Sequence, residues 1–240
     1  FKLNKIIVIL PTYNESENIE KLFFLLKKLN LKLSFLFIDH ASTDGTIEKI
    51  KKIKKKFKKN IYSIEKKFRE GIGKAHKDGL KWAYKKNYDL AITMDTDFAH
   101  HPKYLKNLIK QSKYYDLLVG SRYLKKKSIG WTWFRVLLSK GAHLMSLILF
   151  NITHDTTNSF RCYNLKKINK NFMISCKSNS YDFFYTSIVL LSLRKYKIGD
   201  MPMQVKGRKE GNSKMFLSHI IKSILNMFLL FIKIKLKILK

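Results

Sequence analysis

The stretch "KIIVILPTYNESENIEKLFFLLKKLNLKLSFLFID", Lys5 to Asp39, decides the fold. It opens on a short apolar run, Lys5–Leu10, stopped by Pro11. A run without polar alternation reads as a strand covered on both faces, the kind found in parallel sheets. Ser16–Leu29 follows with apolar residues at helical spacing and acidic residues in its first turn, so it reads as an amphipathic helix. Leu33–Asp39 is a second apolar strand. Strand, helix and strand in that order make the repeating unit of a parallel sheet.

The same alternation continues downstream. A helix is expected over Asp44–Phe57, a strand over Asn60–Lys66, a loop and helix over Gly71–Lys86, and a strand over Asp89–Asp95. A helix over His101–Lys113 and a strand over Tyr115–Tyr123 follow. The expected class is α/β, with a mostly parallel central sheet and helices on both faces. Ligands of such sheets bind beyond the carboxyl ends of the strands. The unusual polar residues fall there: Tyr13 to Glu15, Asp39, Asp95 to Asp97, and Ser121 to Arg122.

The second half changes character. "GWTWFRVLLSKGAHLMSLILF" (Gly130–Phe150) and "SHIIKSILNMFLLFIKIKLKILK" (Ser218–Lys240) are apolar segments carrying a few cations. The longest uncharged run in the latter, Ser223–Ile232, falls short of the ~20 residues that span a bilayer. Both segments fit helices lying in a membrane interface, with lysines snorkelling and Trp131 and Trp133 at headgroup depth. Ordinary docking helices are the alternative, favoured against for 218–240 by its basic tail and evenly balanced for 130–150. The expected organisation is a catalytic domain over residues 1–214, with 130–150 as an interfacial helix inside it, and a membrane-associating helix over 215–240.

The 240 residues carry a formal charge of +32, nearly all from lysine, and 45% hydrophobic residues, enough for a sizeable core. Compositional bias explains most of that lysine. The rest would favour an anionic partner: a nucleotide, a phosphate or an acidic lipid surface. Nucleic acid is not expected. Lysine runs such as Lys49–Asn60 read as a solvated helix face, and no zinc-finger or RNP-like pattern is present. Cys162 and Cys176 show no metal-ligand spacing and fit a reducing compartment. The apolar stretch before Pro11 is too short for a signal peptide. The start at Phe1 rather than Met points to a trimmed N-terminus.

"ITMDTDFAHHP" (Ile92–Pro102) puts two carboxylates one residue apart at the end of a buried strand. Such a pair is costly unless a cation joins it. If the strand runs through them, Asp95 and Asp97 point the same way and can face one Mg²⁺ or Mn²⁺, hard ions that share oxygen ligands with substrate phosphates. Alternatively, one carboxylate holds the ion and the other meets a ribose. Asp39 can accept a hydrogen bond from a base N–H and Glu15 from a ribose hydroxyl. Ser42, Thr43 and Asp44 read as a helix cap with a turn. "GIGKAHKDG" offers glycines and a helix start near an anion. His100 and His101 read as a helix-start pair ahead of Pro102.

Seven motifs occur in order: "IIVILPTYNESENI", "IDHASTDGT", "GIGKAHKDGLKWA", "MDTDFAHHP", "VGSRY", "DTTNSFRCYN" and "RKEGNSK". Over roughly Lys5 to Lys214 the chain resembles the family 2 glycosyltransferases of the GT-A fold. More narrowly, it resembles polyprenol-phosphate sugar transferases of the dolichol-phosphate mannose synthase type. The resemblance implies that Pro11, Tyr13, Glu15 and Asp39 line a nucleotide pocket, and that Asp95 and Asp97 hold Mg²⁺ or Mn²⁺ and the diphosphate. It implies that Arg122 meets phosphate and that Arg135, Ser139 and Arg208 bind the acceptor phosphate. The catalytic set would be Asp95, Asp97, Arg122, Arg135 and Arg208. A GDP- or UDP-linked sugar, a polyprenyl phosphate and the cytoplasmic face of a membrane are the implied partners and place. Arginine at these positions is informative in a chain that otherwise uses lysine, because its planar fork matches phosphate.

No "ED" pair and no QxxRW motif follows the acidic pair, so no general base is evident. A lipid phosphate is already anionic and needs none; a hydroxyl acceptor would need one, with Asp155 or Asp182 as candidates. The chain departs from the family pattern at His40, Ala99, Asn158–Ser159 and Thr186. The departures at Ala99 and Thr186 leave a catalytically silent nucleotide-sugar binder as a further alternative. Arg161 is balanced between a structural ion pair and catalysis, and Arg69 and Arg194 read as surface residues.

Overall fold

The computed structural model describes residues 5–124, 128–130, 132–206 and 217–236. The first half alternates as expected: β1 (Ile6–Thr12), α1 (Ser16–Lys28), β2 (Leu33–His40), α2 (Thr46–Phe57), β3 (Ile61–Lys66), α3 (Ile72–Lys85) and β4 (Leu90–Thr93). A 3₁₀ turn at Pro102–Tyr104, α4 (Leu105–Ser112) and β5 (Leu117–Ser121) follow. Then come β6 (Ser128–Ile129), α5 (Trp133–Phe150), β7 (Arg161–Asn164), α6 (Phe172–Ser175), α7 (Asp182–Leu193), β8 (Ile198–Pro202), β9 (Val205–Lys206) and α8 (Leu217–Lys235).

Seven strands form the main sheet in the order β3-β2-β1-β4-β7-β5-β8, and β6 pairs with β9 separately. The β1–β2, β2–β3, β1–β4 and β5–β8 pairs are parallel. β7 runs antiparallel between β4 and β5. Its N-terminal end therefore lies at the carboxyl ends of its neighbours, which delivers residues 155–161 to the functional edge.

The apolar runs are explained by burial on both faces. Ile7 and Ile9 of β1 join one core cluster with α3, α6 and α7, while Val8 and Leu10 join the other with α1, α2 and α4. Each such side chain contributes about 1.5–3 kcal/mol by leaving water. Two glycines set the seat of α3. A Cβ on Gly71, whose φ is +100°, would sit 2.3 Å from the Asn179 carbonyl oxygen, and one on Gly73 would sit 2.5 Å from that of Ser180. Lys74 N–H already donates to Asn179 O at 3.1 Å. The glycines of "GIGKAHKDG" thus serve close packing, and the α3 start is covered by backbone instead of facing an anion.

α8 docks one side onto the core. Met227 and Leu230 are buried, Phe231 stacks edge-on to Phe150 of α5 at 6.1 Å, and Tyr185 donates to Ser223 O at 3.0 Å. Asn226 Nδ2 donates to Asp182 Oδ2 at 2.8 Å. The outer side of α8 is also apolar: Ile221, Ile224, Leu225, Phe228, Leu229 and Ile232 are exposed. α5 exposes Trp133, Phe134, Leu137, Leu144, Leu147 and Ile148. Trp131 lies outside the described residues. Among those described, no helix is long and apolar enough to cross a membrane.

Candidate active site

Three loops leave the carboxyl ends of the adjacent strands β2, β1 and β4, and each contains a non-glycine residue at positive φ: Ala41 (59°), Asn14 (51°) and Phe98 (61°). Left-handed backbone at alanine and phenylalanine is unfavourable and persists only where surroundings over-determine it.

The first two loops are braced against each other. Asn14 N–H donates to Ser42 Oγ, Thr43 N–H to Asn14 Oδ1, Glu15 N–H to Thr46 Oγ1 and Ser16 N–H to Asp44 Oδ2, each at 2.9 Å. So "STDGT" acts mainly as a cross-brace. Gly45 is the residue that precedes α2 and makes no side-chain cap bond; of the expected Ser42, Thr43 and Asp44, Asp44 does serve the helix start, its Oδ1 accepting the Thr46 N–H at 3.1 Å. Asp39 is 1% exposed; its carboxylate accepts from Ser42 N–H, Ser42 Oγ and Thr12 Oγ1 at 2.9, 2.6 and 2.9 Å. Glu15 is buried and accepts from Asn18 Nδ2 at 2.9 Å. Pro11 is buried, and its carbonyl accepts from Thr96 Oγ1 at 3.2 Å, which ties the first loop to the acidic pair. Arg69 is exposed, as expected, and its guanidinium lies 4.3 Å from the centre of the Tyr13 ring. Its being arginine in a lysine-rich chain was the available signal.

β4 ends at Thr93, so Asp95 and Asp97 lie in the loop beyond it and strand alternation does not orient them. Local contacts do. Asp95 Oδ1 accepts from Ser159 Oγ at 2.8 Å, and Asp95 N–H donates to His100 Nδ1 at 3.2 Å. Asp97 Oδ1 accepts from Ala99 N–H at 3.0 Å. His101 Nδ1 accepts from Lys103 N–H at 3.1 Å, the helix-start role expected of it. The donor set at Asp95 and Asp97 is hard oxygen, which fits Mg²⁺ or Mn²⁺. Among the described residues, His40, Glu70 and Asp78 also bring possible ligand atoms within 4.8 Å of one another. Lys66 and Lys74 stand on Asp78 at 3.0 and 2.5 Å, so this group is an ion network. Burial lowers the His40 pKa, with Glu70 opposing.

Across β7, Arg122 forms a buried pair with Asp155. Its Nε donates to Asp155 Oδ2 at 2.8 Å and its Nη2 to Oδ1 at 2.7 Å, and Nη2 also reaches Thr157 Oγ1. Burial alone would raise the Asp155 pKa, but the Arg122 charge and hydrogen bonds hold it below the usual carboxylate value. Burial works against the Arg122 charge too, and Asp155 more than offsets it. Tyr123 OH bonds Ser139 Oγ at 2.9 Å, and its ring stacks on His143 at 4.0 Å, so α5 brings Ser139 against Tyr123, the residue after Arg122. Arg135 lies one turn before Ser139 on α5, with a side chain outside the description; Arg208 lies outside the described residues.

Arg161 is fully buried, and the bonds it makes among the described residues go to no carboxylate. Its Nε donates to Asn158 O, Nη1 to Ser187 Oγ, and Nη2 to Thr156 O and Phe184 O, at 2.7, 2.7, 2.9 and 2.8 Å. It is a clamp on residues 156–158, not the ion pair that sequence reading weighed.

Residues 7–172 match the sequence profile of the family described as Glycosyl transferase family 2. Polyprenol monophosphomannose synthase of Mycolicibacterium smegmatis is 28% identical over 217 residues, covering 89% of this chain and 82% of that protein. Undecaprenyl-phosphate mannosyltransferase of Micrococcus luteus is 26% identical over 214 residues, covering 88% and 87%. Glucosyl-3-phosphoglycerate synthase from Mycobacterium tuberculosis, solved with Mn²⁺, UDP-glucose and phosphoglyceric acid, shares the fold at TM-score 0.66 and 14% identity, over 95% of this chain and 80% of that one. A mannosyltransferase from Pyrobaculum calidifontis, solved with GDP-mannose and Mn²⁺, does so at TM-score 0.62 and 15% identity, over 96% and 64%. The sheet, the acidic pair at its edge and the profile match agree: this chain belongs to glycosyl transferase family 2 and is a glycosyltransferase of the GT-A fold.

Proposed function

We propose that the protein transfers a hexose of mannose or glucose type from a GDP- or UDP-linked donor to the phosphate of a polyprenyl lipid, with inversion, at a membrane surface. The observation that carries this reading is the state of the two candidate general bases. Asp155 is fully buried and held by Arg122, and Asp182 is buried and accepts from Ser178 Oγ and Asn226 Nδ2. A hydroxyl acceptor would need a base, whereas a phosphate acceptor needs none. The names of the two curated relatives, both polyprenyl-linked mannose transferases, support the same acceptor class.

In this reading Pro11, Tyr13, Glu15 and Asp39 line the nucleotide pocket, with Arg69 at its rim. Asp95 and Asp97 would hold Mg²⁺ or Mn²⁺, which when bound stabilises the departing nucleoside diphosphate. Arg122, Arg135, Ser139 and Arg208 form the acceptor group, which Arg122 enters as half of an ion pair. An acceptor phosphate oxygen attacks the anomeric carbon as the bond to the diphosphate oxygen breaks on the opposite side. Positioning and exclusion of water do most of the work. Residues 1–214 act as the transfer domain, and 215–240, with α5, as the membrane-associating surface. The exposed apolar faces of α5 and α8, and Lys222, Lys233 and Lys235 on α8, support a peripheral or monotopic seat on anionic lipid. The cytoplasmic face is the proposed side, in keeping with two free cysteines.

One observation favours a hydroxyl acceptor. His154 Nδ1 lies 2.6 Å from Asp200 Oδ2, an imidazole oriented by a carboxylate beside Asp155. Nucleotide release separates the readings. Protein is incubated with Mn²⁺ or Mg²⁺ and a panel of nucleotide sugars, with and without a short polyprenyl phosphate. Release that requires the lipid phosphate and survives His154→Ala supports the proposal. Release on a glycan that is lost in His154→Ala overturns it.

A further inference from the structure

Ser159 stands at one of the positions where the chain departs from the pattern of the family it resembles. It is 6% exposed, and its bonds described here go to the end of β4 and to the loop beyond it. Its Oγ–H donates to Asp95 Oδ1 at 2.8 Å, and its carbonyl accepts from Thr93 Oγ1. The next residue, Phe160, is fully buried and stacks on His100 at 5.4 Å, and His100 Nδ1 accepts the Asp95 N–H. Two consecutive residues thus hold Asp95, one at its carboxylate and one, through His100, at its backbone. Behind them Arg161 clamps Thr156 and Asn158 by their carbonyls.

We propose that Ser159 is a positioning residue for Asp95, fixing its carboxylate so that the divalent cation and the donor diphosphate meet a preset ligand. The inference rests on the reading of Asp95 as a metal and diphosphate ligand. An ionised carboxylate only accepts hydrogen bonds, so the serine must donate and Oδ1 is the atom fixed. Without the hydroxyl, Oδ1 loses this tether, and ordering it on binding then weakens metal affinity. Partners of ligating carboxylates typically change metal affinity by about 10–100-fold when removed.

The test is Mn²⁺ affinity with saturating GDP or UDP, read from the electron paramagnetic resonance signal of free Mn²⁺, for the wild type, Ser159→Ala, Ser159→Cys and Ser159→Thr. Metal-free nucleotide binding and the unfolding midpoint are measured alongside. Ser159→Ala and Ser159→Cys are expected to lower Mn²⁺ affinity about tenfold or more, with the other two readouts near wild type, and Ser159→Thr to restore it. The cysteine variant keeps the shape with a weak donor, so it decides the matter if the alanine variant folds poorly. Wild-type Mn²⁺ affinity in the cysteine variant would overturn the positioning role alone. A wild-type protein that takes up no Mn²⁺ with either nucleotide would overturn the metal reading, and the Ser159 role with it.

Discussion

Replacing Asp155 with asparagine keeps the shape of the side chain and removes its charge. In the wild type that carboxylate is 0% exposed and accepts two guanidinium bonds from Arg122 as well as the Arg122 backbone N–H at 3.1 Å. The asparagine carbonyl can keep one of these bonds, but its NH₂ group turns a donor towards a donor. Breaking one side of a buried pair costs about 3–5 kcal/mol. Arg122 keeps an 11% exposed side chain and can shift towards water, so the lower end, about 3 kcal/mol, applies. For a chain of this size that lowers the midpoint of thermal unfolding by about 6–12 °C. The assay is urea and thermal unfolding of Asp155→Asn, Arg122→Met and the double variant, followed by circular dichroism. The double variant should cost clearly less than the sum of the singles, because it removes both charges together. The pair also has a pH signature. Its folded carboxylate titrates below the unfolded value of about 3.9, so its contribution is complete above that pH and fades as pH falls through the folded value. An Asp155→Asn variant within 1 kcal/mol of wild type at pH 7, or additive single effects, would refute the argument.

Asp97→Ala is expected to abolish metal-dependent turnover and Mn²⁺-assisted nucleotide binding while leaving the unfolding midpoint near wild type; retained turnover in a coupled nucleotide-release assay would sink the metal assignment. Arg161→Lys should cost about 2–4 kcal/mol, since one ammonium cannot serve acceptors on four residues and each orphaned buried acceptor costs about 1–3 kcal/mol; a urea midpoint unchanged from wild type counts against the clamp. Leu225→Asp with Leu229→Asp, both on the exposed side of α8, should reduce co-sedimentation with phosphatidylserine-containing vesicles at least tenfold, given about 1.5–3 kcal/mol for each buried apolar side chain. Equal sedimentation of wild type and variant would remove α8 from the membrane surface.

The sheet was legible because its strands are covered on both faces. Continuous runs such as Ile6–Leu10 and Leu33–Ile38 have no other economical reading, and each is followed by polar residues at the edge where ligands bind. What stayed hidden is instructive in each case. β7 is four residues long, and its antiparallel course is a property of pairing that no local pattern states. Asp95 and Asp97 were placed by strand alternation, but the strand stops two residues earlier and a left-handed Phe98 takes over the geometry. A positive φ at phenylalanine is set by surroundings and leaves no mark in the sequence. The glycines before α3 suggested a phosphate cradle because glycine allows close approach, and the group that approaches turns out to be the chain's own backbone at Asn179 and Ser180.

The six arginines carry a separate argument. A chain with this excess of lysine has a cation available wherever a cation is all that is needed, so arginine marks places where a planar, multi-donor group is required. Three of the four arginines with described side chains bear this out in different ways; the fourth, Arg194, gives Ser175 Oγ a single bond at 3.0 Å. Arg122 uses its fork on a single carboxylate, Arg161 spreads one guanidinium over carbonyls and a hydroxyl, and Arg69 stands over an aromatic ring. Neither of the first two geometries is open to an ammonium. Two of the three side chains act on residues that the proposed chemistry needs only indirectly. Asp155 and Ser159 stand four residues apart in one loop: the first fixes Arg122 and the second fixes Asp95. Arg161 holds the residues between them. In the proposed reading, the donor and acceptor halves of the site are therefore both referenced to one short segment. A displacement of that segment by even one ångström would move both halves at once, which is why the clamp on it is a buried guanidinium with fixed geometry and not one of the flexible lysines the sequence so readily supplies.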